Sequence, residues 1–215
     1  MTGVQTCALP ISGITQSGGG NVIITNTGAI INAGATLSNA INLAAGGTIT
    51  QTGAFTGTLL TTSSSGGATL DSASNNLSSF NGTDLTGGNI LIVDIGALDI
   101  AGVSTSGNVS LTAGSLTQSD SISANALVVN TAGGSTLDNA LNAINAYTGS
   151  DTAGGNIVLT NTGAINLGSV TTSGNIELNA DSLTQKAGTV ISANQLITNT
   201  VAGSKLNSLN TVNVY

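Results

Sequence analysis

Histidine, arginine and tryptophan are absent from this 215-residue chain, and cysteine, proline and methionine occur once each. Without histidine there is no imidazole base, which excludes histidine-dependent triads and the common zinc ligand sets. Lys186 and Lys205 are the only cations against nine acidic residues, for a net charge of −7. Nucleic acid binding needs clustered Lys or Arg to neutralise phosphates, so it is excluded, and anionic membrane surfaces are disfavoured for the same reason. No uninterrupted apolar run approaches the ~18 residues of a transmembrane helix. Charged residues make up 5% of the chain, against roughly 25% in ordinary globular proteins. Solubility must therefore come from Ser, Thr, Asn and Gly. The nine acids are scattered, and the sequence reads them as solvated spacing charges.

Aromatics are scarce as well, at 2%, while hydrophobic residues reach 40%. A core is possible, but it must be built from Ile, Leu, Val and Ala, which suits a narrow and regular interior. The single Met, Pro and Cys all fall within residues 1–10. Residues 1–11 read like the in-frame translation of a sequencing-library adapter, so residues 1–12 are taken as a non-native or disordered leader outside the fold. Re-sequencing the locus checks this: contiguous genomic codons would show the stretch to be native. With the leader set aside no cysteine remains, which is compatible with export through an oxidising compartment. Residues 1–12 lack the basic start and apolar run of a signal peptide.

What the chain does contain is a repeat. Gly66-Gly67, Asp71, Gly87-Gly88-Asn89, Gly107-Asn108 and Leu116 to Gln118 recur as Gly133-Gly134, Asp138, Gly154-Gly155-Asn156, Gly174-Asn175 and Leu183 to Gln185. Positions 66 and 133, 87 and 154, and 118 and 185 each differ by 67. The register grows to 69 between Ile122 and Ile191, which places a two-residue insertion around Lys186–Val190. A diverged copy precedes these, because Asn21 to Ile30 matches Asn156 to Ile165 almost residue for residue. The copies run over about 13–65, 66–132 and 133–201, with a partial fourth over 202–215. The chain is therefore expected to be a fragment at both ends. Its unpaired strand edges and uncapped interior would then favour end-to-end association.

Within a copy the pattern has period two. Ile176 and Leu178 share one face of a short run, and Asn175, Glu177 and Asn179 the other. Val109 and Leu111 oppose Ser110 and Thr112, and Leu98 and Ile100 oppose Asp99. Such alternation, bounded by Gly, Asn and Ser, marks short strands with one apolar side. Tight repetition of these strands predicts an all-β fold, a right-handed parallel β-helix (solenoid) of about nine coils, with roughly 22 residues per coil and about three coils per 67-residue repeat. At ~4.8 Å per coil the rod would be roughly 45 Å long. The stretch Leu137 to Tyr147 fits two descriptions. Leu137, Ala140, Leu141 and Ile144 match helical spacing, as do Leu70, Ala73, Leu77 and Phe80 one copy earlier. A strand–turn corner and a short helical turn both remain open, with Phe80 and Tyr147 plugging the core beneath.

The Gly-Asn-Val/Ile runs at 107–111 and 174–178, the Leu-Thr-Gln runs at 116–118 and 183–185, and Leu137 to Ala140 together resemble the repeats of filamentous-haemagglutinin-type bacterial exoproteins, the adhesins of two-partner secretion and autotransporter systems. The resemblance covers roughly 13–215. It implies a secreted rod on the bacterial cell surface, associated with the outer membrane, which mediates attachment to a host-cell, glycan or surface ligand. It also implies an outer-membrane secretion partner for the full-length protein. The family's N-terminal secretion domain has no counterpart in this sequence.

Chemistry of other kinds finds little support. Asp94 and Asp99 are the nearest candidates for a glycosidase pair, but Asn161 and Asn166 replace them in the next copy. Both are expected to be turn or solvent-facing strand positions. Gly87-Gly88-Asn89 and Gly154-Gly155-Asn156 lack the remaining positions of a calcium-binding repeat, and no Lys follows at phosphate-loop spacing. The chain is thus expected not to be an enzyme, with no catalytic, cofactor-binding or metal-ligating residues and no cofactor. Two other readings stand beside the adhesive rod: a carbohydrate-active β-helix enzyme and an ice-binding solenoid. The first would need basic and acidic clusters in a groove. The second would need flat Thr-x-Thr ladders, for which Thr25/Thr27, Thr160/Thr162 and Thr198/Thr200 are too sparse.

Overall fold

The computed structural model describes residues 10–11, 14–16, 20–37 and 39–214. These form twenty-one β-strands and no helix. Each strand pairing is parallel, and partners lie one coil apart along the chain, as in Ala97↔Ser115 and Ala68↔Ile90. The chain is an all-β parallel β-solenoid of about ten turns. Parallel stacking fills the backbone hydrogen bonds of each interior coil from the coils on either side. Of the leader, only Pro10–Ile11 lies among the described residues, and it pairs with the strand Ile30–Asn32; residues 1–9 and Ser12 lie outside them.

Three stacks of strands make three sides. One runs through Ile49, Ala68, Ile90, Val109, Leu127 and Tyr147. A second runs through Val22, Ile41, Leu60 and Phe80, and continues through Val103 and Ile122. The third runs through Leu98, Leu116, Ser135, Ile157, Ile176 and Leu196. The alternation read from the sequence is the alternation observed. Ile176, Leu178, Val109, Leu111, Leu98 and Ile100 are buried, while Asp99 and Glu177 sit on the outside. Nearly all the filling is aliphatic, as an aromatic-poor chain requires.

The repeat and the coil do not share a period. Three full coils from Ile90 lead through Val109 and Leu127 to Tyr147, and the chain must run on by part of a coil to reach Ile157, the counterpart of Ile90 one repeat later. Ile90 and Ile157 therefore belong to different sides. Likewise Phe80 lies on the second stack and its counterpart Tyr147 on the first. A repeat is thus about three coils and a third. The coil is correspondingly shorter than three to a repeat would make it, so about ten turns stand in the chain. Pairing demands register from coil to coil, but nothing in it demands a whole number of coils per repeat.

The stretch 137–147 contains no helix. Residues 138–142 form a turn between the strands Ser135–Leu137 and Ala143–Asp151. The side chain of Asn139 accepts from Leu141 N at 2.9 Å, and Asn142 N donates to Asn139 O at 3.2 Å. Such local bonds by Asn compete with a helical ladder. Leu141 faces solvent, at 71% exposure. The apolar spacing that suggests a helix therefore arises from two inward strand ends and a protruding corner.

Phe80 and Tyr147 are both fully buried, each lying over a glycine two positions on. A Cβ on Gly149 would meet Tyr147 Oη at 2.5 Å. Burial raises the pKa of the Tyr147 phenol, and the neighbouring Ser135 hydroxyl offsets part of that rise. The contact is poorly formed, because neither hydroxyl has a hydrogen bond of full geometry. One copy earlier the same two positions are Ala68 and Phe80. A buried polar group without a good partner costs ~1–3 kcal/mol. The double variant Ser135→Ala/Tyr147→Phe is therefore expected to match or exceed the parent's urea midpoint. Tyr147→Phe alone strands the serine hydroxyl and should gain less. A double variant markedly less stable than the parent would show that the pair is a real bond.

Candidate functional site

Several of the polar residues that the repeat carries face inward, at the corners. The clearest is Asp84, which is 6% exposed. Its Oδ2 accepts from Ser64 Oγ at 2.8 Å and Gly67 N at 2.7 Å in the preceding coil. Its Oδ1 accepts from Thr86 N at 3.0 Å and Gly88 N at 2.6 Å in its own corner. Asp151 does the same one repeat on, accepting from Thr131 Oγ1, Gly134 N, Ala153 N and Gly155 N. Each carboxylate thus ties together two successive Gly-Gly corners. Gly67 and Gly134 hold positive φ, at 92° and 91°. Burial pushes both carboxyl groups up, but the hydrogen bonds outweigh it and leave both below the ordinary value of 3.8.

The corner continues with hydroxyls. Thr105 Oγ1 donates to Gly88 O and accepts from Gly107 N, and Thr172 repeats this with Gly155 O and Gly174 N. The paired glycines therefore serve close coil packing. The acids are not all solvated spacers, as their scattering suggests: Asp84, Asp94 and Asp151 are buried. Backbone N–H groups at glycine corners stabilise them where cations are missing.

A second device explains the Leu-Thr-Gln runs. Gln51 and Asn75 exchange amide hydrogen bonds at 2.8 and 3.0 Å, and Asn75 also accepts from Phe55 N and donates to Leu70 O and Val93 O. Gln118 pairs with Asn142 and Gln185 with Asn210 in the same way. Asn75 and Asn142 are fully buried. Sequence reasoning singles out the glutamines and misses their partners. Aligning the copies reveals them, because Asn75, Asn142 and Asn210 recur at the repeat spacing to within one position.

Asp94 and Asp99 lie in different surroundings. Asp94 points inward and accepts from Leu77 N and Gly96 N at 2.7 Å each. Asp99 lies outside, accepting from the Ser79 and Ser119 hydroxyls. Burial raises the Asp94 pKa, and its two backbone bonds compensate only in part. In the next copy Asn161 accepts from Ile144 N and also donates to Ile144 O and Gly163 O. A raised folded pKa means that the protonated acid's stabilising contribution is present below 3.8 and lost as pH rises through the folded value. Asp94→Asn is therefore expected to stabilise the chain by ~1 kcal/mol at pH 7 and by much less near pH 3. Thermal melts at the two pH values check this, and equal effects at both would refute it.

On the outside, asparagines stack from coil to coil. Asn89 accepts from Asn108 N, and Asn108 from Asn125 Nδ2; Asn156, Asn175 and Asn194 repeat the ladder. Among the described residues no group of three or more His, Cys, Asp or Glu could hold a metal ion. No described helix is long and apolar enough to cross a membrane.

Repeats of unknown function (DUF5649) match residues 87–149 and 154–212. The two matches begin one repeat apart, each at the first glycine of a corner that an aspartate ties. Together they cover more than half of the chain. The chain belongs to the DUF5649 repeat family. Comparison with curated proteins and with solved structures found no match. The DUF5649 repeat in this chain is thus a unit of three and a third coils, marked by glycine corners, buried aspartates or asparagines, and Gln–Asn pairs. Its inward polar residues accept and donate hydrogen bonds within the chain, to backbone and to one another.

Proposed function

We propose that the chain is a rod segment of a large secreted bacterial surface protein of the filamentous-haemagglutinin type. In this reading it stands at the outer membrane after export through a secretion partner and mediates attachment to cells or surfaces. One observation carries the reading. The repeat's inward polar residues are engaged with the chain's own backbone, as at Asp84 and Asp151, while the outside carries amides and hydroxyls such as the Asn89–Asn108–Asn125 ladder. A unit like this lengthens a shaft and leaves a neutral hydrogen-bonding surface for contact. Beads coated with the chain are expected to bind epithelial cells more than beads coated with albumin. Equal retention would remove the adhesive role and leave a spacer.

A further inference from the structure

No further inference is drawn: the strongest candidate, the uncharged outer face of the first strand stack, where Thr112, Asn130, Ser150 and Thr171 stand in register on successive coils, is a stripe of small polar residues, and nothing in the structure shows what covers it.

Discussion

Asp151→Ala is expected to destabilise the chain by about 3–5 kcal/mol, read as a fall in the urea midpoint. The substitution removes one acceptor and leaves Gly134 N, Gly155 N, Ala153 N and the Thr131 hydroxyl without it, two of these donors at 2.6 Å. Hydrogen bonds to charged groups contribute ~1.5–3 kcal/mol each, and water entering the vacated corner recovers part of the total. The exposed Asp138→Ala, earlier in the same copy, is the control and should change stability by no more than ~0.5 kcal/mol. The same carboxylates set the response to acid. Asp84 and Asp151 both have depressed folded pKa values, so their contribution is complete above 3.8 and is lost as pH falls through the lower folded values. The parent should therefore lose stability steeply below about pH 4, with Asp94 opposing that trend. An Asp84→Asn/Asp151→Asn variant should start less stable at pH 7 and show a flatter acid limb. A parallel pair of acid limbs would mean that these aspartates are not the groups titrating.

Gly155→Ala should be at least as damaging, at about 4 kcal/mol or more. A Cβ there would run into Gly134 N and Gly133 C, backbone atoms of the coil before, far inside contact distance. No rotamer relieves such a contact, so the two corners must separate, and the Asp151 bonds stretch with them. Gly188→Ala provides the contrast. Its φ is +78°, but nothing lies within 4 Å of the added carbon. Only the left-handed backbone resists it, at ~1–2 kcal/mol. Hydrogen exchange should show Gly155→Ala loosening amides on both neighbouring coils and Gly188→Ala loosening only its own turn. Similar melting points for the two variants would mean that the corners do not pack as tightly as described.

The solenoid is legible in the sequence because one-sided alternation, as at Ile176 and Leu178, has few other solutions in a chain so poor in aromatics and charge. The repeat is legible from glycines whose place in the corners fixes them. The corner chemistry is harder to read. Asp84 resembles any scattered acid until it is seen that Gly67 and Gly88 lie a coil apart along the chain and side by side in space. Asn142 escapes notice because its neighbours Leu141 and Ile144 mimic a helical stripe, and turn bonds made by Asn139 leave no trace in apolar spacing. The fractional coil count is hidden for a different reason. Sequence similarity reports the repeat, whereas pairing reports the coil, and only coordinates contain both.

That mismatch gives the shaft a screw. A feature carried once per repeat reappears a third of the way round and about 16 Å further along, at ~4.8 Å per coil. It returns to the same azimuth only after three repeats, or ten coils, about 48 Å away. If the shaft is adhesive as proposed, one flat receptor would grip a single copy at a time, and avidity would require a partner that winds around it or several partners approaching from different directions.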